Sequence, residues 1–167
     1  MIVMGGMMTD VGSPPPPTVA RSAPGVIEPL DVFAANDDRA YLMKVSEDAA
    51  AKLRLQSKIQ KYAKRKADWD GDDGIPPSAN AVRDALAFLD YAEIEFSIPS
   101  AVYAPGDGEV MFQWRNADAF IEVGFYGDNT ISWYFRGAKG GVDHADDQFS
   151  RDQMEIPPRL SAYLEAL

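Results

Sequence analysis

Near residue 100 the apolar period of this chain changes from 3.6 to 2, and that change constrains the fold more than any other feature. The runs "SAVYA", "EVMFQWR", "AFIEVGFY" and "TISWYFR" alternate apolar and polar residues and are separated by "PGDG", "NAD" and "GDN". Alternation broken by Gly/Asn/Asp turns describes antiparallel strands with one buried face. It places Val110, Phe112 and Trp114, then Ile121, Val123 and Phe125, then Ile131, Trp133 and Phe135 on a core face. Met111, Gln113, Arg115, Phe120, Glu122, Tyr126, Ser132, Tyr134 and Arg136 fall on the opposite face.

Two helices precede these strands. Ser46 can cap the first, with Glu47 and Asp48 in the first turn and Leu55, Ile59 and Tyr62 as its stripe. Its bases, Lys58, Lys61, Lys64, Arg65 and Lys66, crowd the last turns, where the helix dipole favours them, and the helix is predicted to end near Lys66. The second, capped by Ser78, is predicted over Ala79 to about Tyr91, with Val82, Ala85, Leu86 and Leu89 facing inward. The predicted architecture is therefore α+β and two-layered, with helices on one face of a four-stranded antiparallel meander and a short helix in the closing "MEIPPRLSAYLEAL". Leu160, Tyr163, Leu164 and Leu167 of that segment could cover the outer face of the sheet.

The prolines of "GSPPPPTVARSAPG" remove backbone donors, so residues 1–25 are expected to be a flexible, disordered arm and residues 26–167 a single domain. "VIEPLDVFAA" is expected to be irregular or briefly helical, broken at Pro29. A length of 167 residues with 46% apolar content suits one real core.

Composition excludes several classes of function. With no cysteine, thiol nucleophiles, disulfides and Cys-ligated metals are ruled out, and the cytoplasm is the simplest compartment. No signal peptide or membrane-spanning run is visible. The net charge of -10 disfavours nucleic acid and anionic membranes and fits a partner with a basic surface. His144, the sole histidine, sits in "GGVDHADDQ", read as a solvated Gly/Asp-rich linker that offers no rigid site for a Ser-His-Asp arrangement. "GAKGG" lacks the spacing of a phosphate loop, and no cofactor motif is present.

"DWDGDDGIPPS" invites a calcium reading, since Asp68, Asp70 and Asp72 take the first, third and fifth positions of such a loop. The sixth position, however, is Asp73 rather than Gly, and the twelfth is Ala79 rather than Glu. The stretch reads better as a structural turn of Asp68, Trp69, Asp70 and Gly71. In that reading Trp69 plugs into the core and its indole donates to a carbonyl.

"DWDG", the capped "SANAVRDALAFL", the hairpin through "VYAPGDGEVMFQW" and "IEVGFYGDNTISWYF" together resemble a widespread family of small bacterial and mobile-element proteins with a WDG signature. The resemblance covers about residues 66–137. It implies a fold and no catalytic residues, and "DWDGDDGIPP" carries one residue more before its second glycine than the family's D-W-D-G-x-G-A-x-P. From the residues, the functional expectation is a non-enzymatic, acidic protein-binding module of the antitoxin, immunity or anti-defence inhibitor type. Phe120, Glu122, Tyr126, Tyr134 and Arg136 would carry its contact surface, without metal or cofactor. The alternative is a small metal-dependent enzyme or metal-binding protein using Asp68, Asp70, Asp72 and Asp73.

Overall fold

The computed structural model describes residues 29–167, and the proline-rich arm expected over residues 1–25 lies outside them. The elements run α1 (Pro29–Tyr62), α2 (Ala79–Glu95), β1 (Ala101–Tyr103), β2 (Val110–Arg115), β3 (Ala119–Phe125), β4 (Thr130–Gly137), β5 (Val142–Gln148) and α3 (Pro158–Glu165). The compact unit comprises Asp38–Leu167.

The sheet is an antiparallel meander in the order β1-β2-β3-β4-β5, so the four expected strands become five. The additional strand, β5, is the segment read above as a linker around His144. Its inward positions are Asp143, Ala145 and Asp147, opposite Phe135, Trp133 and Ile131. Two of these three are acids, so the apolar alternation that marks a strand is missing. Both are accounted for: Trp133 Nε1 donates to Asp147 Oδ2 at 2.8 Å and Tyr163 Oη to Asp143 Oδ2 at 2.9 Å. β5 therefore supplies the acceptors that the polar tips of core aromatics need when buried.

Helix α1 also departs from expectation. It is already helical at Pro29, so Ser46 lies inside it rather than capping it. Proline is tolerated in the first turn because its missing N–H would have no partner there, and Ala40, Leu42, Met43 and Lys44 are good helix formers. At the other end the helix stops at Tyr62, earlier than Lys66, and unwinds through Lys64 N–H to Lys61 O and Arg65 N–H to Tyr62 O. Helix α2 runs four residues past Tyr91 and keeps the expected cap, with Ala81 N–H donating to Ser78 Oγ at 3.0 Å.

One core joins the layers. Leu55 and Ile59 of α1, Val82, Ala85, Phe88 and Leu89 of α2, and Leu160 and Leu164 of α3 pack with the inward strand residues. Phe88 is central, with its ring 5.0 Å from Phe125 and 6.0 Å from Phe112. Of the nine expected core residues eight are buried, and the ninth, Phe135, is half-buried beneath Tyr163, their rings stacked at 3.9 Å. Helix α3 thus packs on the inner face, which decides against the alternative that it covers the outer one. Its two leucines and Tyr163 are drawn to the larger apolar surface.

Candidate functional site

The Asp-rich stretch is built as a turn. Asp70 Oδ1 accepts the N–H of Asp72 at 3.1 Å and of Gly74 at 2.9 Å, while Asp68 Oδ1 accepts the N–H of Asp73 at 3.3 Å. The Asp72 N–H, followed by that of Gly74, holds the Asp70 carboxyl below its ordinary pKa. A β-carbon on Gly74 would lie 2.4 Å from Asp70 Oδ2, so a larger residue there would push the carboxylate off the amides it caps. Ile75 N–H reaches Gly106 O at 2.6 Å, which fastens the turn to the β1–β2 hairpin beside Asp107. One oxygen each of Asp68 and Asp70 is thus engaged by the turn's own amides. Among the described residues no group of three or more His, Asp or Glu is arranged to hold a metal.

Trp69 differs from the expected plug. It lies outside the apolar core cluster, half-buried beneath Arg65, whose guanidinium stands 3.4 Å from its ring centre and 4.3 Å from that of Tyr62. Its Nε1 is buried without a hydrogen-bond partner among the described residues, so the expected carbonyl is not there. The anchor of the turn is a cation–π stack on the end of α1 rather than an indole hydrogen bond.

The outer face of the sheet is ordered by register into rows. Arg115 pairs with Phe120 and Phe120 with Arg136, giving a basic row with an aromatic centre. An open hollow of about 260 Å³ adjoins it, lined by these three residues and the Asn116–Ala119 and Gly137–Gly140 loops. The next row runs Gln113, Glu122, Tyr134 and His144. The third runs Tyr103, Met111, Gly124, Ser132 and Asp146. Glu109 enters beside this row and is buried, accepting a hydrogen bond from Ser132 Oγ. Burial pushes its carboxyl up to about 7, against the Ser132 bond and with help from Asp107, Asp146 and Glu122.

Four of the five expected contact residues therefore come together. The Phe120 and Tyr134 rings meet edge to face at 6.1 Å, Arg136 stands over Phe120 at 5.4 Å, and Glu122 lies directly opposite Tyr134. Tyr126 is exposed just past the end of β3, toward Glu109 and Asp107 and away from the aromatic pair. Tyr103, Glu109, His144 and Asp146 were not among the contact residues expected from sequence, His144 being expected in a solvated linker. Tyr103 follows from alternation in β1 and donates to Glu122. His144 and Asp146 required recognition of β5. The outer face is thus split: basic and aromatic at one end, acidic at the other, with a dent of about 110 Å³ between Met111, Glu122, Ser132 and Tyr134.

No protein-family model, curated protein or solved structure matches this chain. Among the described residues no helix is long and apolar enough to cross a membrane.

Proposed function

We propose that this chain is a non-enzymatic binding module that holds another protein on the outer face of its sheet, in the manner of an antitoxin, immunity protein or anti-defence inhibitor. The observation that carries this reading is the row Arg115–Phe120–Arg136, its arginines exposed and its Phe120 half-buried, with the half-buried Tyr134 beside it, on the face that α3 does not cover because it packs on the other one. Aromatic and arginine side chains are enriched where proteins bind one another. The acidic end, Glu122, Asp146 and Asp107 with the turn at residues 68–73, supports a partner whose contact surface is mainly basic, in line with the charge of -10. The resemblance over residues 66–137 agrees with a scaffold that brings no catalytic residues of its own.

The test is affinity capture from the native host at low and high salt, using the parent and a Phe120→Ala/Tyr134→Ala variant of unchanged circular dichroism. Capture of one protein that weakens with salt and fails with the variant is expected. Equal capture by both chains, or none at low salt, would remove the sheet face from consideration.

A further inference from the structure

Helix α1 has a second face that stays exposed among the described residues. Leu55 and Ile59 are buried, Tyr62 packs against the core, and Lys52 reaches Asp90 of α2 at 2.7 Å, so one side of the helix is committed to the body. At about 100° per residue the opposite side is Leu42, Ser46, Ala49, Leu53, Ser57 and Gln60. All six are exposed, Leu42 at 65% and Leu53 at 66%. Every charged residue between Leu42 and Gln60 falls outside this stripe. Solvent faces of helices are normally charged, and an uncharged one with two projecting leucines has the character of a packing surface.

We propose that this stripe takes the same helix of a second copy in antiparallel orientation, crossing near Ala49 and Ala50. Size complementarity selects that arrangement. A crossing there sets each Leu53 over the partner's Ser46 and each Leu42 over the partner's Ser57, large against small at both leucine levels, with alanine on alanine at the crossing itself. A parallel pair would stack leucine on leucine and leave gaps at the Ser and Ala levels. Charge selects the same orientation. From Ala49 to Tyr62 the helix has Lys52, Arg54, Lys58 and Lys61 and no acid, whereas the preceding stretch from Asp37 to Asp48 is net acidic, with Asp37, Asp38, Glu47 and Asp48 against Arg39 and Lys44. Parallel helices would crowd the bases together; antiparallel ones bring them beside the acids. The contact is confined to one stripe of one helix, so the association is concentration-dependent rather than obligate.

The experiment is sedimentation equilibrium of the full chain from micromolar to submillimolar concentration. The mass should rise from 18.3 kDa toward twice that value and stay at the monomer for Leu53→Glu, whose far-UV circular dichroism should not change. The absence of native cysteine permits an independent check of orientation by single-cysteine variants. Ala49→Cys should cross-link to its copy on oxidation. Leu42→Cys should not, because antiparallel copies place the two sites about 22 Å apart along the axis. A parent that stays monomeric overturns the proposal. So does a Leu53→Glu variant that still dimerises, or cross-linking of Leu42→Cys as efficient as that of Ala49→Cys.

Discussion

The Glu109 carboxyl occupies the space that a β-carbon on Gly124 would fill: an added Cβ would lie 1.5 Å from Glu109 Oε1 and 2.5 Å from Ser132 Oγ. A glycine in mid-strand ordinarily weakens a sheet, and here it opens the slot for a buried acid. Gly124→Ala is expected to cost about 1 to 3 kcal/mol or more, because the carboxyl must leave its Ser132 partner or the strand must shift. Adding Glu109→Ala should return part of that loss. Urea unfolding of the two single variants and the double variant measures this coupling, and simple additivity would mean the two residues do not compete for the slot.

Glu109 also sets a pH dependence. Its folded pKa, about 7, lies above the ordinary 4.5, so the folded state binds the extra proton between those values. The stabilisation is full below the ordinary pKa and is lost as pH rises through about 7. Glu109→Gln stays neutral at every pH and can keep a hydrogen bond to Ser132. It should gain on the parent by roughly 2 to 3 kcal/mol between pH 5 and pH 8. Melting temperatures of both chains across that range provide the check, and parallel curves would place the titration elsewhere.

Wherever apolar residues recur at a regular period, the sequence already indicates the structure. β2 to β4 and α2 come from alternation and a cap, because burial dictated those residues. β5 could not be read that way. Its inward Asp143 and Asp147 answer Tyr163 and Trp133, partners distant in sequence, so local pattern shows only an acidic loop. The start of α1 was hidden by Pro29, which reads as a breaker but serves as a first-turn residue. At the candidate surface, Phe120, Glu122, Tyr134 and Arg136 were visible from alternation alone. Their division into a basic and an acidic end depends on strand register and on β5.

Asp84 on α2 is buried and bonded to Arg151 at 3.0 Å, tying the segment after β5 to the helix layer. Burial raises the Asp84 carboxyl, and Arg151 opposes that shift. Removing the arginine strands a desolvated acid, whereas removing the acid frees an arginine that is partly in solvent. Arg151→Ala should therefore be the more harmful, by about 3 kcal/mol, and Asp84→Asn milder. Chemical denaturation at neutral pH compares them. The opposite order would show that Asp84 draws its support from other groups.

The turn at residues 68–74 yields the last prediction. Asp68 and Asp73 hold φ of 60° and 59°, a region that costs most side chains energy, and the Asp70 carboxylate compensates by accepting two backbone N–H groups. Asp70→Ala removes both bonds, and a lower thermal midpoint is expected. Asp70→Asn keeps an oxygen acceptor and should lose less. Trp69→Ala removes a half-buried ring stacked on Arg65, so its cost should stay well below that of a fully buried aromatic, about 1 to 2 kcal/mol. Calcium should leave the thermal midpoint of the parent and of all three variants unchanged. A calcium-dependent rise in the parent that Asp70→Asn abolishes would show the carboxylates turning outward to a metal, and the turn would then be a binding loop.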